Sequence, residues 1–475
     1  MQILLVRPHP ELPIARRLEE FLHLEPLNLE IVAGGVPEDD EVAILDLSVE
    51  KNPFDVFQKQ LSHLSPDLVG FTGYSTNVSV VKRLAAIVKR RNTAITTVVG
   101  GIHATLLPKD YATEDIDLVA RGEGGTLFRE LVPRLKRGDD PSLDERVLST
   151  RDPEFCHKAE LPPPQHPRID EIPRPRRDLV QRSKYFTTWT SSATARLNTI
   201  FPQVASLRTS IGCAFSCSFC VVHFLLRGKY LQRDPEDVVD EIEALSEKHI
   251  YFLDDEMFLN AGRAKRIAEL LLDRGIKKEY ISWSRSDTIV RHPEVFKIWR
   301  EAGLRILFVG LESVDSPRLS DYQKQTDVET NRKAVAILRE LQIMLHASFM
   351  VHPDFAVEDF RRLEREVMAV GPAEVSFTVF SPSPGTPLWS MHKDEYICDP
   401  YQFYDCMHTI LPTRLPLKQF YRHFGRLTIV ALRVNPLRAN RIRIPVREFI
   451  RIFIMATRYV FSLHGIYRDY PPPEM

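Results

Sequence analysis

Three cysteines lie within eight positions of one another, at Cys213, Cys217 and Cys220. Three thiolates can hold three irons of a [4Fe–4S] cluster, which leaves the fourth iron open to a cofactor or a substrate. With this short spacing, a single loop can enclose the cluster. Six cysteines in a chain of 475 residues do not indicate a disulfide framework. The remaining three are scattered and are expected to be ordinary thiols: Cys156, Cys398 and Cys406.

A zinc site is the alternative interpretation of this loop. Zinc usually takes a fourth Cys or His ligand, and His223 follows Cys220 by three residues. The position of the loop, directly after a predicted strand, favours the iron–sulfur cluster. A zinc site would contain metal without sulfide.

The elements that must position the cysteines are predicted from alternating strand-like and helix-like stretches. From residue 204 to residue 390, six apolar runs have amphipathic runs between them, which predicts a partial (β/α)6 barrel with its active site at the carboxyl ends of the strands. The predicted strands are 205–210, 250–253, 281–285, 306–311, 345–351 and 375–380. The predicted helices are 235–248, 261–274, 293–302, 328–341 and 357–370.

A second strand–helix region occupies residues 1–138. Predicted strands at 3–6, 41–47, 67–72, 95–99 and 117–120 alternate with helical patterns such as 78–91 and 127–136. This order predicts a parallel sheet with helices on both faces, and ligands bind such sheets beyond the carboxyl ends of the strands. The loops at those ends, 73–77, 100–105 and 122–125, are rich in glycine, which lets a bulky ligand approach the backbone.

The remaining segments, 139–203 and 391–475, are predicted to be connecting and peripheral structure. Clustered prolines between 139 and 203 indicate an irregular linker. From 391 to 475, arginines are interleaved with apolar residues, which is typical of basic amphipathic helices. Such helices either rest on an anionic membrane surface or cap the barrel with solvated arginines, and the pattern leaves both open.

Overall charge and hydropathy exclude few functions. Lys plus Arg number 63 and Asp plus Glu number 64, so no nucleic-acid partner is expected. The N-terminal apolar run is too short for a signal peptide. No uninterrupted apolar stretch approaches the length needed to span a bilayer. We therefore expect a cytoplasmic protein.

The CxxxCxxC loop, with Phe219 before its last cysteine, resembles the signature of radical S-adenosylmethionine (SAM) enzymes. The resemblance covers roughly residues 204–389. It implies that the three cysteines hold the cluster and that Phe219 packs near the adenine of SAM. It also implies SAM contacts at the ends of the next strands, with carboxylates facing the methionyl ammonium. Those residues are Asp254, Asp255, Glu256, Ser284, Arg285, Gly310 and Glu312.

Residues 1–138 resemble the cobalamin-binding domain of class B radical SAM methylases, through the sheet pattern, a GGxHxT segment and a GEG segment. The DxHxxG motif that supplies a histidine to cobalt is absent, which implies cobalamin bound without that ligand. An empty or repurposed domain would show the same absence. His9 and His103 are expected to pack or hydrogen-bond rather than to ligate cobalt. The implied cobalamin contacts are Tyr74, Ser75, Thr76, Gly100, Gly101, His103, Gly122, Glu123 and Gly124.

The two resemblances imply an α/β chain of four parts. A doubly wound, Rossmann-like cobalamin-binding domain spans 1–138, and a linker spans 139–203. A radical SAM domain, built as a partial (β/α)6 TIM barrel, spans 204–390. A helical, basic C-terminal region spans 391–475.

Stretches 7–11, 331–334, 346–350 and 380–388 most resemble hopanoid C-3 methylases. The resemblance implies that a SAM-derived radical removes a hydrogen from an unactivated lipid carbon, which then takes a methyl group from methylcobalamin. It also implies a flavodoxin or ferredoxin as electron donor, and peripheral contact with the inner membrane.

Other functions fit the same residues. The same cofactors could methylate or cyclise a tetrapyrrole or a peptide. A non-catalytic cobalamin or redox sensor would not cleave SAM. A zinc-dependent nucleic-acid module is disfavoured by the balanced charge.

Overall fold

Two separate parallel sheets organise the chain, and each is built from apolar stretches that alternate with helices along the sequence. The computed structural model describes residues 1–189, 201–434 and 446–471. Part of the predicted linker, 190–200, and parts of the predicted C-terminal region, 435–445 and 472–475, lie outside the described residues.

The strands are β1 Gln2–Arg7, β2 Leu22–His23, β3 Glu41–Asp46, β4 Leu68–Thr72, β5 Thr96–Gly100, β6 Leu118–Ala120, β7 Val147–Ser149, β8 Phe186–Thr187, β9 Val204–Leu207, β10 Ser210–Gly212, β11 Tyr230–Gln232, β12 His249–Phe252, β13 Glu279–Ser284, β14 Leu304–Glu312, β15 Met344–Val351 and β16 Glu374–Val379. The α-helices are α1 Pro13–Glu19, α2 Leu27–Gly35, α3 Pro53–Leu64, α4 Val78–Arg91, α5 Ile102–Leu106, α6 Gly124–Arg137, α7 Phe155–Lys158, α8 Val222–Leu225, α9 Pro235–Ala244, α10 Ala261–Asp273, α11 Ser286–Arg291, α12 Pro293–Ala302, α13 Ser316–Asp321, α14 Val328–Glu340, α15 Val357–Val370, α16 Pro387–Met391, α17 Leu417–Val434 and α18 Val446–Gly465.

The first sheet has the strand order β3-β1-β4-β5-β6-β7. Alternate side chains of β1 enter different cores, because successive residues of a strand point to opposite faces. Leu4 and Val6 pack with α3 and α4, whereas Ile3 and Leu5 pack with α2 and α6. The sheet is therefore doubly wound, and the predicted fold class is confirmed. Its antiparallel edge strand β7 comes from the segment predicted as linker.

The second sheet has six parallel strands in the order β16-β15-β14-β13-β12-β9. One face carries the helices that follow the strands, so the predicted partial barrel is confirmed. The predicted strand 205–210 is divided in two: β9 ends at Leu207, and the chain then turns into β10, which pairs with β11 away from the barrel. The helix predicted from residue 235 begins there because the Asp234 side chain accepts hydrogen bonds from the first-turn amides.

The C-terminal region forms the predicted helices α17 and α18. Leu463 and Ile466 join the core of the barrel. The stretch Val446–Arg468 is 23 residues long and contains an 18-residue window with a mean hydropathy of 1.3, so its length and composition alone would allow it to cross a membrane. No such stretch was expected from the sequence, because arginines interrupt the run of apolar residues. One helix of this kind is weak evidence of a membrane span.

A buried carboxylate connects the first domain, the linker and the barrel. The Glu25 side chain has no exposed surface. It accepts hydrogen bonds from Arg177 (2.6 Å), from Arg182 and from the backbone N–H of Ser206 on β9. Arg177 also donates a hydrogen bond to the Glu241 side chain on α9 at 2.8 Å. Because a buried charge is tolerated only when it is paired, these contacts set how the two sheets lie against each other.

We predict that Glu25→Gln destabilises the protein by about 1.5–3 kcal/mol, because it weakens buried charge-assisted hydrogen bonds to two arginines that keep Glu241 and Glu247 as counter-charges. Glu50→Gln is the matched control. It breaks a partly exposed pair with Lys184 that also joins the first domain to the linker, and it should cost less than about 1 kcal/mol. Thermal unfolding followed by circular dichroism measures both. Equal midpoints for the two variants would contradict the role of Glu25.

Candidate functional site

The three cysteines occupy the loop between β10 and α8. The loop starts at Gly212, whose φ of +92° and whose contact with the Lys229 carbonyl leave no room for a side chain. Cys217 is buried, and Cys213 and Cys220 are half-buried. Burial raises the pKa of Cys213 and of Cys220 to about 11, so iron must displace their protons on binding. Three thiols in one loop fit a cluster with one open iron.

Two carboxylates after β12 hold the start of the cysteine loop. Asp254 accepts hydrogen bonds from the amide (3.0 Å) and the hydroxyl (2.7 Å) of Thr209, and from the hydroxyl of Ser210. Asp255 accepts one from the amide of Gly212 at 2.9 Å. The Asp255 side chain lines a cavity. Desolvation by the surrounding protein raises the pKa of its carboxyl group. Asp254 therefore positions the loop from a buried site, whereas Asp255 also faces open space.

The third carboxylate of this run points to the neighbouring strand. Glu256 accepts hydrogen bonds from the hydroxyl of Ser284 (3.1 Å) and from the amide of Arg285 (2.7 Å) at the end of β13. Its side chain is fully buried, and burial raises the pKa of Glu256 to about 7. The predicted residues 256, 284 and 285 are thus brought into direct contact.

Arg285 connects the barrel to the cysteine loop. Its guanidinium lies 3.6 Å from the centroid of the Phe215 ring, and Nη1 donates to Cys217 Sγ at 3.6 Å. Nε donates to Asp287 at 2.8 Å. A hydrogen bond to a ligating sulfur is one way in which a protein tunes a cluster.

The end of β14 carries the other predicted SAM-lining residues. Glu312 has a φ of +61°, and the β14–β15 register shifts between Gly310 and Glu312. A side chain at position 310 would collide with the Glu312 carboxylate. That carboxylate pairs with Lys324 at 2.8 Å. Burial alone would lower the pKa of Lys324, but Glu312 outweighs it, so the pKa is raised. Phe219 packs edge-on to Tyr322, the residue that directly follows α13.

A cavity of about 790 Å³ lies between the carboxyl ends of the first sheet and the cysteine side of the barrel. This volume is in the upper part of the range for small-molecule and cofactor sites. Five of the predicted cobalamin contacts line it: Gly100, Gly101, Gly122, Glu123 and Gly124. Asp255 and Arg208 line its barrel side, so one space reaches both domains. The glycine-rich wall at the carboxyl ends of the sheet fits cobalamin, because it lets a bulky cofactor approach the backbone closely.

Four predicted cobalamin contacts do not line this cavity: Tyr74, Ser75, Thr76 and His103. Tyr74 is 61% exposed. His103 is buried, and both ring nitrogens are engaged, Nδ1 with the Ser75 hydroxyl at 3.0 Å and Nε2 with Asp110 at 2.9 Å. These contacts leave His103 no nitrogen for cobalt, in line with the packing and hydrogen-bonding role expected of it.

Sequence reasoning missed much of the cavity wall. One part is the apolar face of α2, from Leu27 to Val32. Another is the proline-rich stretch 164–175, which includes His166 and was predicted only as linker. No local motif marks these residues, although the prolines suggested an ordered path. Among the described residues, no three His, Cys, Asp or Glu side chains are grouped as a single metal ion would require.

Comparison with known proteins shows the class. Residues 21–132 match the B12 binding domain, and residues 207–367 match the radical SAM superfamily. The hopanoid C-3 methylase of Methylococcus capsulatus is 31% identical over 427 residues, which is 89% of this chain and 78% of that protein. An uncharacterized methyltransferase of Pyrococcus horikoshii is 30% identical over 82% of each chain.

Solved structures show the same fold. The cobalamin-dependent SAM radical enzyme OxsB aligns over 98% of this chain and 72% of its own, with a TM-score of 0.67 and 17% identity. The methyltransferase TsrM of Kitasatospora setae aligns over 81% of this chain and 74% of its own, with a TM-score of 0.59 and 20% identity. The chain belongs to the cobalamin-dependent radical SAM methyltransferases. Its predicted cofactors, a [4Fe–4S] cluster, SAM and cobalamin, are those of the two matched domains.

We predict that Gly100→Phe lowers the cobalt content of protein purified without oxygen and leaves its iron content unchanged. The nearest atoms to a Cβ at position 100 are at ordinary contact distance, so the ring should enter the cavity without straining the strand. Wild-type protein should contain about four irons and one cobalt per chain.

Gly262→Phe is the control for this substitution, because Gly262 is exposed on α10 and far from the cavity wall. Its cobalt content should match that of the wild type. Full cobalt loading of Gly100→Phe would show that cobalamin does not use this cavity.

Proposed function

We propose that this protein methylates C-3 of hopanoid lipids. The observation that carries the proposal is the 31% identity to a hopanoid C-3 methylase along 89% of the chain. Together, the bound cofactors supply a radical that removes a hydrogen from an unactivated carbon and a methyl group that replaces it. The protein must then bind SAM, hold cobalamin beside it and keep water away from both.

The residues at the strand ends supply the binding of SAM in this proposal. Glu256 and Asp255 face the methionyl ammonium, and Ser284 and Arg285 face the ribose and carboxylate. Gly310 leaves room for the Glu312 carboxylate beside the cofactor, and Phe219 packs near the adenine. Buried, paired groups such as Glu256 are already oriented before SAM arrives, which reduces the entropy lost on binding.

A tetrapyrrole substrate is the second candidate. The anaerobic magnesium-protoporphyrin IX monomethyl ester cyclase of Cereibacter sphaeroides is 27% identical over 74% of this chain, which covers 57% of that protein. An enzyme that acts on a tetrapyrrole would use the same cofactors and the same cavity as a hopanoid methylase, but its product would be a modified tetrapyrrole. Enzymes of this class also need a reductant, and we propose a flavodoxin or a ferredoxin.

Helix α18 supports a lipid substrate, because it exposes an apolar stripe that no other described residue covers. One side of α18 packs on α17 and α1. The other side exposes apolar residues at helical spacing: Val446 (74%), Phe449 (58%), Ile450 (51%), Phe453 (63%) and Phe461 (73%). Exposed arginines flank the stripe: Arg447, Arg451 and Arg458. An apolar face bordered by cations fits the surface of an anionic membrane, so we propose a cytoplasmic protein in peripheral contact with the inner membrane.

We predict that the reduced holoenzyme, given SAM labelled in its methyl group, adds one labelled methyl to a hopanoid. Deleting the gene should remove one methylated hopanoid from the host and leave the parent lipid. Mass spectrometry of the lipids measures both results. A methylated or cyclised tetrapyrrole in place of a lipid would select the second candidate, and absence of 5′-deoxyadenosine would indicate a sensor.

We also predict that Phe449→Ser with Phe453→Ser weakens binding to phosphatidylglycerol-containing vesicles by about a hundredfold, since burying each of the two phenyl rings contributes about 1.5 kcal/mol. Vesicle sedimentation measures the effect. Leu143→Ser is the control, because Leu143 is 79% exposed on the first domain. Wild-type binding should fall as salt is raised. Equal binding by the double variant and the wild type would contradict the membrane contact.

A further inference from the structure

The face of the barrel sheet that lies opposite the helices differs from the helix-covered face. Alternate residues of each strand point to one face or the other. The helix side is fully buried and includes Phe252, Trp299 and Phe349. The inner side includes Trp283, which lies against a separate small cluster and is only partly buried. A closed barrel fills this inner space with side chains, whereas here Trp283, Phe308 and His346 keep part of their surface exposed.

Four inner-face side chains form one row across four adjacent strands. Trp283 on β13 is the register partner of Phe308 on β14, which is the partner of His346 on β15. His346 is in turn the partner of Glu374 on β16. We call Trp283, Phe308, His346 and Glu374 the cross-strand ladder. The centroids of Trp283 and Phe308 are 3.9 Å apart, and those of Phe308 and His346 are 4.8 Å apart.

The ladder is accessible, unlike the aromatic residues on the helix side. Trp283 and Phe308 are half-buried. The side chain of His346 is 25% exposed and that of Glu374 is 17% exposed. Aromatic rings that are packed on one side and open on the other can still bury apolar area against a ligand, which stabilises the complex.

The ladder lies one step below the proposed SAM site. Trp283 directly precedes Ser284, and Phe308 is two residues before Gly310 on the same strand. Residues two apart on a strand lie on the same face. A ligand on the ladder would therefore lie on the inner face of the barrel, with one end near Trp283 and the strand ends that receive SAM and the other end toward Glu374, the first residue of β16.

His346 is held in place by polar neighbours. Its Nδ1 lies 3.2 Å from Glu374 Oε2, and its Nε2 contacts the Ser376 hydroxyl. With both nitrogens engaged, the ring extends the aromatic surface by one strand and is not available as an acid or a base. The row thus ends at a polar edge on β16.

We propose that the cross-strand ladder binds the flat, fused alicyclic ring skeleton of a polycyclic lipid; this inference rests on the proposed function. Three adjacent strands carry the rings and span about 10 Å, two intervals of roughly 4.8 Å, which is about the length of a skeleton of four fused rings. The rings are inclined to one another by 39° and 47°, and their packing against each other gives a rigid apolar surface for such a skeleton. A flexible open chain would lose conformational entropy to make the same contacts.

The experiment compares Trp283→Leu and Phe308→Leu in the reduced, cofactor-loaded enzyme. Leucine keeps the site apolar and removes the ring. Binding is measured with the pentacyclic hydrocarbon diploptene and with open-chain squalene, both in detergent micelles. Each variant should raise the dissociation constant for diploptene about tenfold, and should lower the ratio of methylated product to 5′-deoxyadenosine. Wild-type enzyme should bind squalene more weakly than diploptene.

Phe349→Leu is the matched control, because it removes a ring from β15 on the helix-covered face. It should lower the unfolding temperature and leave the affinity for diploptene at the wild-type value. Unchanged affinity in both ladder variants, squalene bound as tightly as diploptene, or no binding of diploptene by the wild type would each overturn the proposal.

The same experiment separates this inference from the proposed function. Binding of diploptene that depends on the ladder, without methyl transfer, would leave the ladder standing and remove C-3 methylation. Methylation of diploptene by the wild type, with unaltered affinity in the ladder variants, would support the proposed function and overturn the role of the ladder. If the ladder variants weaken binding of magnesium protoporphyrin monomethyl ester and diploptene does not bind at all, the ladder binds a tetrapyrrole and the proposal of a lipid skeleton is overturned.

Discussion

The buried carboxylate of Glu25 is the interaction on which the arrangement of the two sheets depends. It lies in the first domain, its arginine partners come from the linker, and it accepts the amide of Ser206 on the first barrel strand. A charge without solvent contact is stable only with these partners in place. The pairing therefore requires the linker to cross between the domains, and the same linker then lines the cofactor cavity.

Three consecutive acids show how much of the site is held by the fold itself. Asp254 and Asp255 bind the strand that leads into the cysteine loop, whereas Glu256 binds the end of β13. One short segment after β12 thus connects the loop with its neighbouring strand. Arg285 completes the connection through Phe215 and Cys217. Such preorganisation fixes the start of the cysteine loop and the polar groups at the strand ends before any cofactor binds.

The apolar features of the molecule agree with one another chemically. The exposed stripe on α18 fits the surface of a membrane, and the cross-strand ladder fits a rigid apolar skeleton. An enzyme for a membrane lipid needs both a place to meet the bilayer and a surface that binds the extracted ring system. A tetrapyrrole enzyme would need the second feature and not the first.

The sequence by itself determined the class of chemistry and most of the regular elements. The spacing of Cys213, Cys217 and Cys220 is a local property, and so are the helical periodicities that placed α4, α12 and α15 at their observed bounds. Local signals of this kind depend on neighbours only a few residues away, so they can be read without the fold. The cobalamin domain was likewise indicated by its strand order and its glycine-rich loops.

Only the tertiary structure decided which residues share a site. Gly100 and Gly122 line the cavity whereas Tyr74 does not, because the direction of a side chain after a strand depends on the turn that follows. His103 is hydrogen-bonded to Ser75 and Asp110, neither of which lines the cavity. The ladder depends on the register between strands that are separated by 25 residues or more, and register is fixed by the packing of whole sheets. Burial and strand register are properties of the assembled chain, so no local sequence pattern could predict them.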